Sequence, residues 1–176
     1  MEYGHFSEDG WEFIIDRPDT PRPWINILSN SQFGSLVSQT GGGYRFIGGP
    51  GYDRITRVRP GDMLTRDVPG RYVYLRDLDR GDYFSVTRGP APSNCQQYQC
   101  VHGPGYTTIR SRHASIEGEI TYFVPLDDNL EIWTVKIGNR GSRKLRLSTF
   151  SVVEWALGNF ADDLEDPFLH NLFNRV

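Results

Sequence analysis

Several residue types are scarce in this chain. Among 176 residues there are 2 cysteines and 2 methionines, and of the 19 basic residues only Lys136 and Lys144 are lysines. No apolar run approaches the roughly 20 residues that a membrane helix requires. The opening "MEYGHFSEDG" has neither the basic nor the apolar stretch of a secretory signal. These absences lead to the expectation of a cytoplasmic protein. No excess of either sign is available to hold nucleic acid or an anionic membrane, because 19 basic residues face 22 acidic ones. Cys95 and Cys100 in "NCQQYQCVHG", with His102 beside them, are potential metal ligands, but without a second Cys/His cluster they match zinc spacings poorly. Reduced thiols in a strand are the preferred reading, and no metal is expected. His5, His102, His113 and His170 show neither metal spacing nor a nucleophile partner and are expected to be structural. Arginine suits bidentate contacts better than lysine. Coding bias accounts for its excess equally well, so the excess carries no functional weight.

What the chain does have is turn formers and rings: 19 Gly and 11 Pro with 4 Trp, 9 Tyr and 10 Phe. Aromatics favour pleated surfaces, and glycine and proline favour the turns between them. The length suits one domain with a real core. Period-two segments recur where helical periodicity is nearly absent. In "SIEGEITYFVP", Ile116, Gly118, Ile120, Tyr122 and Val124 share one face against Glu117, Glu119 and Thr121. "EIWTVKI" sets Trp133, Val135 and Ile137 against Ile132, Thr134 and Lys136. After the turn "GNRGSR", "KLRLSTF" sets Leu145, Leu147 and Thr149 against Arg146 and Ser148. These three segments predict an antiparallel meander. Earlier candidates are "WEFII", "GYRFI", "DRITRVR", "RYVYLRD", "YFSVT", "QYQCV" and "YTTIRS", separated by Gly/Pro punctuation. About ten short strands predict an all-β antiparallel sandwich with a short helical or irregular C-terminal segment. Pro167 predicts a helix start after Glu165 or Asp166.

Three motifs need weighing. "RPDTPRPWINIL" (17–28) holds three prolines, which exclude a helix or a central strand, yet it delivers Trp24, Ile25 and Ile27 as an apolar cluster. "TGGGYRF" resembles a phosphate-cradling loop only superficially, because no helix follows to converge amide groups on phosphate. A turn or a close backbone approach is expected there. "ADDLEDP" carries Asp162, Asp163, Glu165 and Asp166, and glycoside chemistry uses carboxyl groups. Capping or facing water is the ordinary use of such residues, and lining a substrate is preferred to catalysis. The end, "DPFLHNLFNRV", is rich in apolar residues that need a partner surface, so it is expected to dock on another chain or to lead into more sequence.

The ordered set of motifs resembles the cellobiose and chitobiose phosphorylases, glycoside hydrolase family 94. The opening "YGHFSEDGWEFIIDRPDTPRPWINIL" is similar to that family's Y-G-x-F stretch followed by an R-P-D-x-P-x-P-W-x-N strap. "SLVSQTGGGYRF", "DRITRVRP", "GRYVYLRD" with "GDYFS", "HGPGYTTIRS" and "ITYFVPLDDNLEIWTVKIGNRG" running into "LSTFSVVEWAL" follow in the same order.

The resemblance implies that residues 1–176 are an amino-terminal β-sandwich domain of the super-sandwich type. The domain itself is expected to be incomplete, with an (α/α)6 barrel downstream carrying the general acid and the phosphate ligands. The implied reaction is inverting phosphorolysis of a β-linked disaccharide to an α-sugar 1-phosphate and a free acceptor sugar. Inorganic phosphate would be the co-substrate, with no cofactor. No catalytic residue is expected in this chain. A homodimer is implied in which the segment from Ala156 to Val176 reaches the partner's active-site mouth, where Asp162, Asp163, Asp166, Asn171 and Asn174 would face the acceptor sugar. That segment departs from the "DDATNFQRN"-like pattern expected of cellobiose-specific members, so the acceptor is left unassigned. Pro21, Pro23, Trp24 and Asn26 are expected to form a preformed structural strap. A stand-alone carbohydrate-binding module without chemistry is the alternative.

Overall fold

The computed structural model describes residues 3–57, 70–91 and 95–159, together with Ala161 and Glu165. Fourteen strands lie among them: β1 (Gly4–Phe6), β2 (Phe13–Ile15), β3 (Ile25–Ser29), β4 (Phe33–Ser38), β5 (Arg45–Ile47), β6 (Asp53–Thr56), β7 (Arg71–Asp77), β8 (Tyr83–Ser85), β9 (Gln97–Gly103), β10 (Tyr106–His113), β11 (Ile116–Phe123), β12 (Ile132–Asn139), β13 (Leu147–Val153) and β14 (Trp155–Gly158). All named pairings are antiparallel. One layer is a six-stranded sheet in the order β1-β2-β9-β10-β11-β12. The other is built from a five-stranded sheet, β14-β6-β5-β4-β3, and a three-stranded sheet, β13-β7-β8.

The predicted face of β11 is the buried one: Ile116, Gly118, Ile120, Tyr122 and Val124 are inside, and the residues between them are half-exposed. β12 follows the predicted phase for Trp133 and Val135, which pack against the core, but not for Ile137, which is 42% exposed near the end of the strand. The predicted meander is correct for these two strands and wrong for the third. "KLRLSTF" does not return to β12. Its strand, β13, pairs with β7 from Leu147↔Asp77 to Val153↔Arg71. The turn before it is tied down by Arg143, which pairs with Asp77 and Asp79 at the far end of β7, so the chain crosses to the opposite layer. β13 and β14 run on with a single break at Glu154, whose N–H donates to Gly70 and whose carbonyl accepts from Arg57, joining the two smaller sheets.

The core draws on both layers, with Ile15, Leu28, Val37, Leu75, Val86, Ile109, Ile120 and Tyr122 all fully buried. Four strands are additional to those read from the sequence: β1, β3, β4 and β14. β3 lies at the edge of its sheet, consistent with the proline exclusion. The "TGGG" turn is a close backbone approach. Gly43 has φ of 123°, and a Cβ there would sit 2.0 Å from the Leu36 carbonyl oxygen. Ala161 and Glu165 are helical, so helical backbone begins upstream of the predicted start near Pro167.

Candidate functional site

The proline strap leads into a compact hydrogen-bonded cluster. Trp24 sits between Tyr3 and Phe13, with ring centroids 6.0 and 5.7 Å away. The Trp24 backbone N–H donates to Gln39 Oε1 at 2.9 Å, and Gln39 Nε2 donates back to the strap at Pro18 O and Thr20 Oγ1. Asn26 points inward from β3 and donates through Nδ2 to Gly103 O and Tyr106 O, both at 2.9 Å, and to Thr107 Oγ1 at 3.2 Å. It therefore bridges the five-stranded sheet to the β9–β10 hairpin of the other layer. His102 completes a closed circuit. Its Nε2 donates to Trp24 O at 3.1 Å, so its Nδ1 accepts from the Thr107 hydroxyl at 3.0 Å. Burial pushes the His102 imidazole below its ordinary value, and the Trp24 carbonyl opposes this only in part.

The expected apolar cluster is thus split. Trp24 and Leu28 face inward with Asn26, while Ile25 and Ile27 are 42% and 60% exposed. A strand alternates, and the inward parity went to Asn26 because only its amide satisfies the hairpin carbonyls. Pro21 is exposed and Pro23 half-buried.

A second cluster is centred on Glu131, just before β12. Oε1 accepts from Ser35 Oγ at 2.5 Å and Arg71 Nη2 at 2.8 Å. Oε2 accepts from Arg45 Nε at 2.7 Å, Arg45 Nη2 at 2.5 Å and Trp133 Nε1 at 2.6 Å. The Arg71 guanidinium also lies 4.3 Å from the centre of the Tyr122 ring. The side chains of Arg45, Glu131 and Arg71 are 4%, 4% and 0% exposed. Two buried cations thus share one buried anion, supplied with charge-assisted hydrogen bonds from β4, β5, β7 and β12.

Sequence reasoning missed this hub. A signal was present: strand parity puts Glu131 on the same face as Trp133 and Val135, and a carboxylate on a core face requires buried donors. The arginine preference also has a use. Arg45, Arg54, Arg57 and Arg71 are all buried, where a planar, weakly hydrated fork is better suited than an ammonium.

Glu131 thus takes five donors on its two oxygens, and His102 has both ring nitrogens engaged. His113, stacked on Phe84 with ring centroids 3.9 Å apart, is pushed down to about 4 by burial, with the Arg88 charge adding to it. Cys100 is buried and Cys95 half-buried, neither in a disulfide, and the described residues contain no group of His, Cys, Asp and Glu arranged to hold a metal. The sequence-predicted site residues Asp162, Asp163, Asp166, Asn171 and Asn174, and also His170, lie outside the described residues. No helix among the described residues is long and apolar enough to cross a membrane.

A two-layer antiparallel sandwich whose internal polar groups are spent on joining its layers defines a β-supersandwich scaffold. Residues 11–176 match the model "Glycosyl hydrolase 94, supersandwich domain", and the chain belongs to that family. It is 40% identical over 165 residues to N,N'-diacetylchitobiose phosphorylase of Vibrio proteolyticus, covering 93% of this chain and 20% of the relative. It is 31% identical over 159 residues to solabiose phosphorylase of Paenibacillus borealis, covering 90% and 21%. Cyclic beta-(1,2)-glucan synthase NdvB of Rhizobium meliloti is 28% identical over 160 residues, 89% of this chain and 6% of the relative. The chain spans about a fifth of the length of the phosphorylase relatives it matches.

Proposed function

We propose that this domain is part of an inverting β-disaccharide phosphorylase, and that its own contribution is architecture and the mouth of the acceptor site. The observation that carries the reading is the match along residues 11–176 to a domain that two disaccharide phosphorylases share with this chain. In the reaction, a carboxylic acid protonates the glycosidic oxygen of the leaving sugar. Inorganic phosphate attacks the anomeric carbon from the opposite face, in the place an activated water takes in an inverting hydrolase. Acid and phosphate ligands come from a helical barrel outside this chain, and no cofactor takes part. The use of Glu131 and His102 in joining the two layers accords with an architectural role.

Asp162, Asp163, Asp166, Asn171 and Asn174 supply hydrogen bonds to the acceptor sugar across a homodimer of the cytoplasmic enzyme. The test is kinetic and runs in the synthetic direction on the longer protein. α-Sugar 1-phosphate and an acceptor should release phosphate. Asp166→Ala or Asn171→Ala should raise the acceptor KM a few-fold to roughly a hundred-fold, the range for losing a neutral or charged hydrogen bond. The KM for sugar 1-phosphate should stay put. Unchanged acceptor kinetics in an intact dimer would remove the lid, and a lost dimer with normal kinetics would reduce the segment to an interface.

A further inference from the structure

The outer face of the three-stranded sheet carries a concentration of unengaged groups that the scaffold does not use. Strand register sets Arg76 opposite Tyr83, and Tyr74 opposite Phe150. Their neighbours Leu75 and Phe84 point into the core, so these four side chains share the outer surface. Tyr83 is 67% and Phe150 52% exposed. A cleft of 400 Å³ lies between Tyr74, Arg76, Tyr83 and Phe150. A second cleft, of 480 Å³, opens on the other side of Tyr83 and is lined by Arg80 and Asp82. Both share Tyr83 and Gly81, the latter held at φ of 80° in the β7–β8 turn.

The adjoining turns are different in kind. There Arg140 pairs with Glu117, Arg143 with Asp77 and Asp79, and Arg146 with Asp79. Around Tyr83, the side chains of Arg76, Arg80 and Asp82 make no hydrogen bond or ion pair among the described residues. Free donors and a free acceptor of both signs thus flank exposed rings laid on a sheet surface.

We propose that this groove binds a neutral β-linked oligosaccharide, with one sugar ring stacked on Tyr83 and its hydroxyls shared between Asp82 and the two arginines. Sugars with all-equatorial hydroxyls present flat C–H faces that stack on aromatic rings. Their hydroxyls both donate, as Asp82 requires, and accept, as Arg76 and Arg80 require. The mixed sign of the groove disfavours a strongly charged ligand, which would meet a like charge on one side. Only the choice of ligand class rests on the phosphorylase reading above.

The experiment is an amide-resolved NMR titration of the 176-residue chain with cellobiose, using maltose as the α-linked control. The amides of Gly81, Asp82 and Tyr83 should shift in a saturable way with cellobiose and move less with maltose. Tyr83→Ala, at an exposed position that leaves the core untouched, should weaken binding by about tenfold or more, while Tyr83→Phe keeps most of it. Asp82→Asn tests the acceptor separately and should weaken binding a few-fold. Shifts confined to other surfaces, equal binding by Tyr83→Ala, or concentration-dependent self-association abolished by Tyr83→Ala would each overturn the proposal. An empty groove in a chain whose longer form performs phosphorolysis would sink this inference alone. Cellobiose binding at Tyr83 without any phosphorolysis would spare it and sink the reaction.

Discussion

β11 and the pair β5–β7 bury surface by opposite means. β11 sends Ile116, Ile120 and Tyr122 inward and leaves its glutamates half-exposed. β5 and β7 instead bury Arg45 and Arg71, and rely on one carboxylate from the opposing layer to make that tolerable. The first arrangement is non-directional and forgives volume-conserving change. The second is directional: it specifies how the two layers dock, and removing its anion strands two charges. The apolar core shared by both layers and the charged hub between them should therefore respond differently to substitution.

The largest effect should come from the hub. Glu131→Ala leaves Arg45 and Arg71 buried without an anion and should cost about 3–5 kcal/mol, enough to unfold a marginal domain. The midpoint of urea unfolding reads it, and a loss below 1 kcal/mol would mean water replaces the carboxylate. In the other layer, Ile120→Ala at a fully buried site should cost about 2–5 kcal/mol, while Ile120→Val should cost about 0.5–1.5. No equally graded series exists for Glu131, because Glu131→Gln keeps the shape and loses the charge.

Acid sharpens the contrast next. The folded state holds His113 neutral down to about 4, whereas an unfolded histidine protonates near 6.5. Between those values the unfolded chain binds the proton that the folded chain refuses. The contribution is therefore complete above 6.5 and declines as pH falls toward 4, by up to about 3 kcal/mol. His102 is depressed in the same direction by its burial. Stability measured from pH 7 to 4 should fall, and His113→Phe should flatten the slope without removing the His102 part. Asn26→Ala comes after this: it strands the Gly103 and Tyr106 carbonyls and should cost about 1–3 kcal/mol by thermal unfolding. The smallest change is Lys136→Ala on exposed β12, within about 0.5 kcal/mol despite its 2.9 Å bond to Glu119.

What could be read from the sequence follows the same division. Alternation marked the inward face of β11, because burial by area leaves a period-two trace, while the apolar run in "RYVYLRD" gave the bounds of β7. β3 and β4 left none. Asn26, Ser35 and Ser38 take core-facing or buried positions, so the pattern reads as polar although β4 is buried and β3 turns Asn26 and Leu28 inward. The segment leading into β13 kept the predicted phase at Leu145 and Leu147, not at the exposed Thr149, and β13 had the wrong neighbour, since hairpin adjacency is a local expectation and the ion pairs of Arg143 and Arg146 to the β7 turn are long-range. The strap was legible as stiff from its prolines, but its partners on β10 lie about 80 residues further along the chain.

The proposed function requires phosphorolysis by the longer protein that contains this domain. The direct measurement is 31P NMR of that longer protein incubated with a β-linked disaccharide, with and without inorganic phosphate, beside the 176-residue chain under the same conditions. The longer protein should form α-sugar 1-phosphate only when phosphate is present, and the isolated domain should form none. Release of two free sugars without phosphate, or turnover by the isolated domain at a comparable rate, would contradict the proposed function.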